Sequence, residues 1–65
     1  MSSRKHTSDI FEATYATYLV TGETVALVEP ILGEYGGRYW ICRKENDELV
    51  IVEEDSISNY FYWTA

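Results

Sequence analysis

Cysteine is all but missing. Cys42 is the only one, which excludes an internal disulfide framework and any multi-cysteine metal site of zinc-finger type, and points to a reducing, cytoplasmic compartment. Proline also occurs once, and Pro30, unable to donate a ladder hydrogen bond, marks a strand end or an edge. No apolar run approaches the roughly 20 residues of a membrane span, so a soluble protein with no membrane partner is expected. Bases are few, five against eleven acids. Residues 1–7, Met1 to Thr7, lack the apolar core of a secretory signal and read as a flexible polar tail. Setting aside Arg4 and Lys5 of that tail, Arg38, Arg43 and Lys44 face all eleven acids, a net charge of −8 over residues 8–65. Such an excess repels phosphate backbones. Direct nucleic-acid binding is therefore disfavoured, and a basic protein surface is the better electrostatic match.

What the chain has is aromatic mass. Sixty-five residues suffice for one domain, assigned here to residues 8–65, and a domain of this size hides only about 60% of its unfolded surface. An aromatic content of 15% partly compensates, since each ring can bury roughly 150–250 Å².

Tyr39 to Lys44 and Leu49 to Glu54 are two β-type runs joined by Glu45-Asn46-Asp47-Glu48, a hairpin. Pairing Lys44 with Leu49 sets Cys42 opposite Ile51 and Trp40 opposite Glu53, with Tyr39, Ile41, Arg43, Val50, Val52 and Glu54 on the other face. Both faces then carry apolar side chains, which implies a curled sheet or a partner on the far side. Asn59 to Trp63 alternates likewise, Tyr60 and Tyr62 on one side, Phe61 and Trp63 on the other. Upstream, Thr7 or Ser8 as N-cap, acids at Asp9 and Glu12, and Phe11, Tyr15, Tyr18 and Leu19 at helical spacing predict a helix stopped by Gly22. The threonines and tyrosines of residues 13–18 favour strand as much as helix. Thr24 to Val28 reads as a strand, with Ile31 and Leu32 continuing it past a bulge before a glycine-bearing loop, Gly33 to Gly37.

The expected fold class is α+β: an amino-terminal helix followed by a three- or four-stranded antiparallel meander. The strand order with its short Asp55–Ser58 link also resembles, in architecture alone, a small SH3-like barrel, from which the helix departs.

Catalytic chemistry is hard to assemble. His6 lies in the tail beside Arg4 and Lys5, where nothing orients it as a base, and Cys42 alternates with Trp40 in a strand as a small core hydrophobe. Strand alternation sends Glu53 and Glu54 to opposite faces, which spoils a two-carboxylate device. Glu45 to Glu48 lacks the ligand spacing of a calcium loop, and Gly33-Glu34-Tyr35-Gly36-Gly37 lacks the Gly-Lys-Ser/Thr of a phosphate loop. No catalytic, cofactor or metal residues are assigned.

The expected function is a non-enzymatic acidic binding module: an adaptor, regulator or inhibitor that engages a basic protein surface. One form of it is a nucleic-acid mimic from a phage or mobile element acting on a nucleic-acid-binding protein. The residues assigned to the partner are Glu45, Asp47, Glu48, Glu53, Glu54 and Asp55 for steering, with Tyr60, Tyr62 and Trp63 as anchors. The alternative class is a structural small subunit or obligate homodimer completed through its two-faced apolar sheet.

Overall fold

The computed structural model describes residues 3–64 as a single antiparallel sheet: β1 (Ser3–His6), β2 (Tyr15–Tyr18), β3 (Thr24–Leu32), β4 (Arg38–Arg43), β5 (Leu49–Glu53) and β6 (Ile57–Thr64), with one turn of 3-10 helix, Glu54–Ser56, before β6. The strands lie side by side in the order β1-β6-β2-β3-β4-β5. Thus β2 to β5 form a meander, and β6 returns to fit between β1 and β2.

The protein is all-β rather than α+β, because the expected helix closes only one turn. Its capping chemistry is present: Asp9 Oδ1 accepts the Phe11 N–H at 2.9 Å, and the Glu12 N–H reaches the Asp9 carbonyl at 3.1 Å. Pairing then takes over. Tyr15–Tyr18 becomes β2, hydrogen-bonded to β3 on one side and β6 on the other, so the strand preference of the Thr and Tyr residues prevails once two ladders are on offer. Residues 3–6, read as tail from sequence, are an exposed strand antiparallel to β6, with Ser3 opposite Thr64 and His6 opposite Phe61. Met1 and Ser2 of that tail lie outside the described residues.

The curl of the sheet follows from one short connection. Strand β5 sits four steps from β6 in the sheet, about 19 Å across a flat one. Glu53 and Ile57 are joined through three residues in a 3-10 turn, which rises only about 2 Å per residue. The sheet must bend until β5 and the start of β6 approach, and it does: Val52 of β5 and Ile57 of β6 share one core with Ile10, Ala16, Val25, Trp40 and Cys42 on the concave face. Each buried Val or Ile there contributes roughly 1.5–3 kcal/mol.

Two bulges keep that face apolar. Val28 is the extra residue between the pairs Leu27–Cys42 and Glu29–Ile41. In β6, Asn59 and Tyr60 together oppose Ala16, with Asn59 at φ 53°, a conformation asparagine tolerates. Ile57 and Tyr60, three residues apart, therefore both turn to the core, while Phe61 and Trp63 turn to the convex face. Pro30 is accommodated because the β3–β4 ladder, starting from the Gly33 N–H bond to the Gly37 carbonyl, aims position 30 away from β4. There β3 has already outrun β2, whose pairing stops at Ala26, so no ladder bond is lost.

The β4–β5 hairpin is present, but its register is one residue away from expectation: Cys42 pairs with Val50, Trp40 with Val52 and Ile41 with Ile51. The turn is responsible. The Asp47 N–H bonds the Lys44 carbonyl at 3.0 Å, the Lys44 N–H bonds the Glu48 carbonyl at 2.9 Å, and Asp47 takes φ 67°. This is a three-residue loop, odd in length, where the sequence reading assumed four. A one-residue slip exchanges the faces of a strand. Val50 and Val52 therefore point inward, and Leu49, Ile51 and Glu53 point out.

Candidate functional site

Strand β5 is a free edge of the sheet. The bond from Lys44 N–H to the Glu48 carbonyl sets the alternation of its ladder with β4. Val50 and Val52 direct their N–H and C=O groups at β4; Leu49, Ile51 and Glu53 direct theirs outward. The side chains of Leu49 and Ile51 are 61% and 67% exposed. No lysine, proline or bulge interrupts Leu49-Val50-Ile51-Val52, so three of the devices that protect an edge are missing from it, and Glu53 supplies its only charge.

The six acids assigned from sequence bracket this strand, three at each end, about 17 Å apart over five residues. Their roles differ. Glu48 is 3.7 Å from Lys44 Nζ, which also lies 3.5 Å from Glu23. Glu54 is engaged internally: its Oε1 accepts the Trp40 indole N–H at 3.1 Å, and its Oε2 lies 3.8 Å from Arg38. Glu45, Asp47, Glu53 and Asp55 make no ion pair among the described residues. They are exposed, two at each end of the strand. Glu54, assigned to the partner from sequence, is thus held by contacts within the fold.

The three aromatic residues assigned with them do not form one surface. Tyr60 packs against the concave core and its hydroxyl points to the Ile57 carbonyl at 3.5 Å. Burial, and then the nearby Glu54 and Asp55, push its pKa upward. It is part of the fold rather than an exposed anchor. Tyr62 is half-buried and opposes Lys5. Trp63, 52% exposed, lies on the convex face in edge contact with Tyr15 and Phe61.

Phe61 itself is only 2% exposed although it faces away from the main core. Tyr15 stacks on it with centroids 5.5 Å apart, and the Arg4 guanidinium sits 3.8 Å from its ring centre. A convex groove of about 380 Å³ runs from this aromatic wall over a floor of Thr24 and Ala26 to Arg43, Glu45 and Asp47. A second cleft, about 470 Å³ and more apolar, opens where exposed Phe11 meets Trp40, with Leu32 and Tyr39 beside it. Leu49, Ile51, Arg4 and Phe11 were all missed as surface features; for the first two, the correct turn length was the signal that would have found them.

Cys42 is fully buried and its thiol points at the Trp40 carbonyl, 3.9 Å away. Burial pushes the thiol pKa up, which suppresses thiolate chemistry. Among the described residues no group of three or more His, Cys, Asp or Glu side chains could hold a metal, and no helix is long and apolar enough to cross a membrane. Comparison of the chain with protein families, with curated proteins and with solved structures finds no match.

Proposed function

We propose that the protein is a non-enzymatic binding module that engages a basic protein surface through the β5 side of its sheet. A single observation carries this reading: exposed Leu49 and Ile51 lie between two pairs of carboxylates, Glu45 with Asp47 and Glu53 with Asp55, that make no ion pair among the described residues, although Arg43 and Arg38 lie nearby. Apolar side chains supply the desolvated centre of an interface, and charges at its rim set orientation and association rate.

The test is capture from a lysate of the native host by two immobilised proteins, the natural sequence and a variant with Glu45→Gln, Asp47→Asn, Glu53→Gln and Asp55→Asn. The natural protein should retain a cationic partner that elutes as salt rises to roughly 0.5 M, where screening acts within about 4 Å. The neutral variant should lose it while keeping its melting transition. Equal retention by both proteins would overturn the electrostatic basis of the reading.

A further inference from the structure

The geometry points to strand addition as the mode of binding: β5 accepts an extended segment of the basic partner, apolar in its middle and carrying Lys or Arg at both ends, as a seventh strand of the sheet. Granted the basic partner proposed above, the edge dictates this form. Among the described residues, Leu49, Ile51 and Glu53 present an alternating row of unpaired N–H and C=O groups, which a backbone satisfies and a side-chain patch does not. The convex side chains of Leu49 and Ile51 offer a surface for alternate apolar residues of the incoming strand. Beyond either end of that strand, its flanking residues come beside Glu45 and Asp47 or beside Glu53 and Asp55.

A second copy of the chain is the poorer occupant. Two β5 strands paired antiparallel about Ile51 bring Glu45 and Asp47 of one copy beside Glu53 and Asp55 of the other, at both ends of the interface, and like charges so placed are destabilising. The opposite edge of the sheet does not compete for the same segment. It carries Arg4 and Lys5, which repel a strand with basic ends.

The probe is an acetylated and amidated peptide, Lys-Arg-Thr-Val-Thr-Val-Thr-Lys-Arg, with a counterpart in which glutamate replaces every basic residue. Binding is followed by amide chemical shifts and hydrogen exchange of the full chain. The basic peptide should slow exchange at Leu49, Ile51 and Glu53 by at least about tenfold, the effect of roughly one additional hydrogen bond, and the acidic one should not. Ile51→Pro removes an N–H that points outward, so it should weaken peptide binding at least about tenfold with its melting transition retained. Methylating the peptide's backbone nitrogens at alternate residues tests the same bonds without altering the protein.

Binding that survives both blocks overturns strand addition but leaves the basic-partner reading intact. Indifference to the sign of the peptide's ends sinks that reading instead. A peptide that fails to bind at millimolar concentration overturns the inference, as does growth of mass with concentration that Ile51→Pro abolishes, which would give the edge to another copy of the chain.

Discussion

Strands β1 and β5 close the sheet on its two sides, and they are built in opposite ways. β1 is Ser-Arg-Lys-His, exposed throughout, with Arg4 and His6 turned onto the Phe61 ring. β5 is Leu-Val-Ile-Val-Glu, with acids beyond both ends. Basic side chains on an edge are a common guard against unwanted pairing, and in β1 they also cap an aromatic cluster. β5 has no such guard. The difference separates an edge that finishes the fold from an edge that stays available, and the proposed binding surface rests on that backbone chemistry as much as on charge.

The strongest way to break this comparison is at the centre of the capped side. Phe61→Ala should cost about 3–5 kcal/mol in urea unfolding, as expected of a buried ring, whereas Ile51→Ala, on the open side, should cost less than about 1 kcal/mol. Comparable losses would mean that β5 is covered and β1 caps nothing. Proline then reads the direction of the β5 ladder. Val50→Pro removes an N–H aimed at β4 and strands a buried carbonyl, so it should be at least about 2 kcal/mol less stable than Ile51→Pro, and equal stability would refute the register. Arg4→Ala probes the cap alone. Losing one guanidinium-ring contact at a solvent-facing site should lower stability by about 0.5–1 kcal/mol; no change at all would make the contact incidental.

The smallest effect is expected in alkali. Tyr60 and Cys42 have folded-state pKa values raised by burial, Tyr60 also by Glu54 and Asp55. The folded state therefore holds these two protons more tightly than the unfolded chain does. Their contribution is fully present below the unfolded thiol and phenol values, about 8.5 and 10, and is lost as pH climbs past them through the folded values. Thermal melts should be flat in this respect at neutral pH and decline gently above about pH 8.5. Tyr60→Phe should remove part of the decline above pH 10, where the phenol ionises, and an unchanged slope there would remove Tyr60 as a contributor.

Much of this was readable from the residues, and the failures have local causes. The β4–β5 hairpin, the continuation of β3 to Leu32 and the alternation of Tyr60 and Tyr62 against Phe61 and Trp63 follow from β-branched and aromatic periodicity, while the bulge expected after Val28 falls on Val28 itself. The register did not, because its odd loop depends on a positive φ at Asp47. The matching turn before β4 puts Gly36 at the corresponding place, φ 81°, and glycine advertises that conformation where aspartate does not. The helix misled for a related reason: caps at Thr7 and Asp9 are local, while the ladders that claim Tyr15–Tyr18 come from residues far along the chain. β1 gave no signal, since four polar residues have no apolar period to detect. The acids of the site were legible as charges, but only geometry separated Glu45, Asp47, Glu53 and Asp55 from Glu48 and Glu54, which are already engaged.

The insertion of β6 between β1 and β2 has a kinetic consequence. The meander β2 to β5 joins neighbours in sequence and can assemble through short loops, but its β2 side stays open until β6 arrives. The β1–β6 ladder then joins residues separated by nearly the whole chain, with Ser3 facing Thr64. Contacts this distant demand the loop-closure entropy before they return any stabilisation, which places folding in the slow, millisecond-to-second range of sheet proteins. In stopped-flow refolding, the indole of Trp40 in the meander and that of Trp63 in β6 should therefore report different moments of one assembly, Trp40 first.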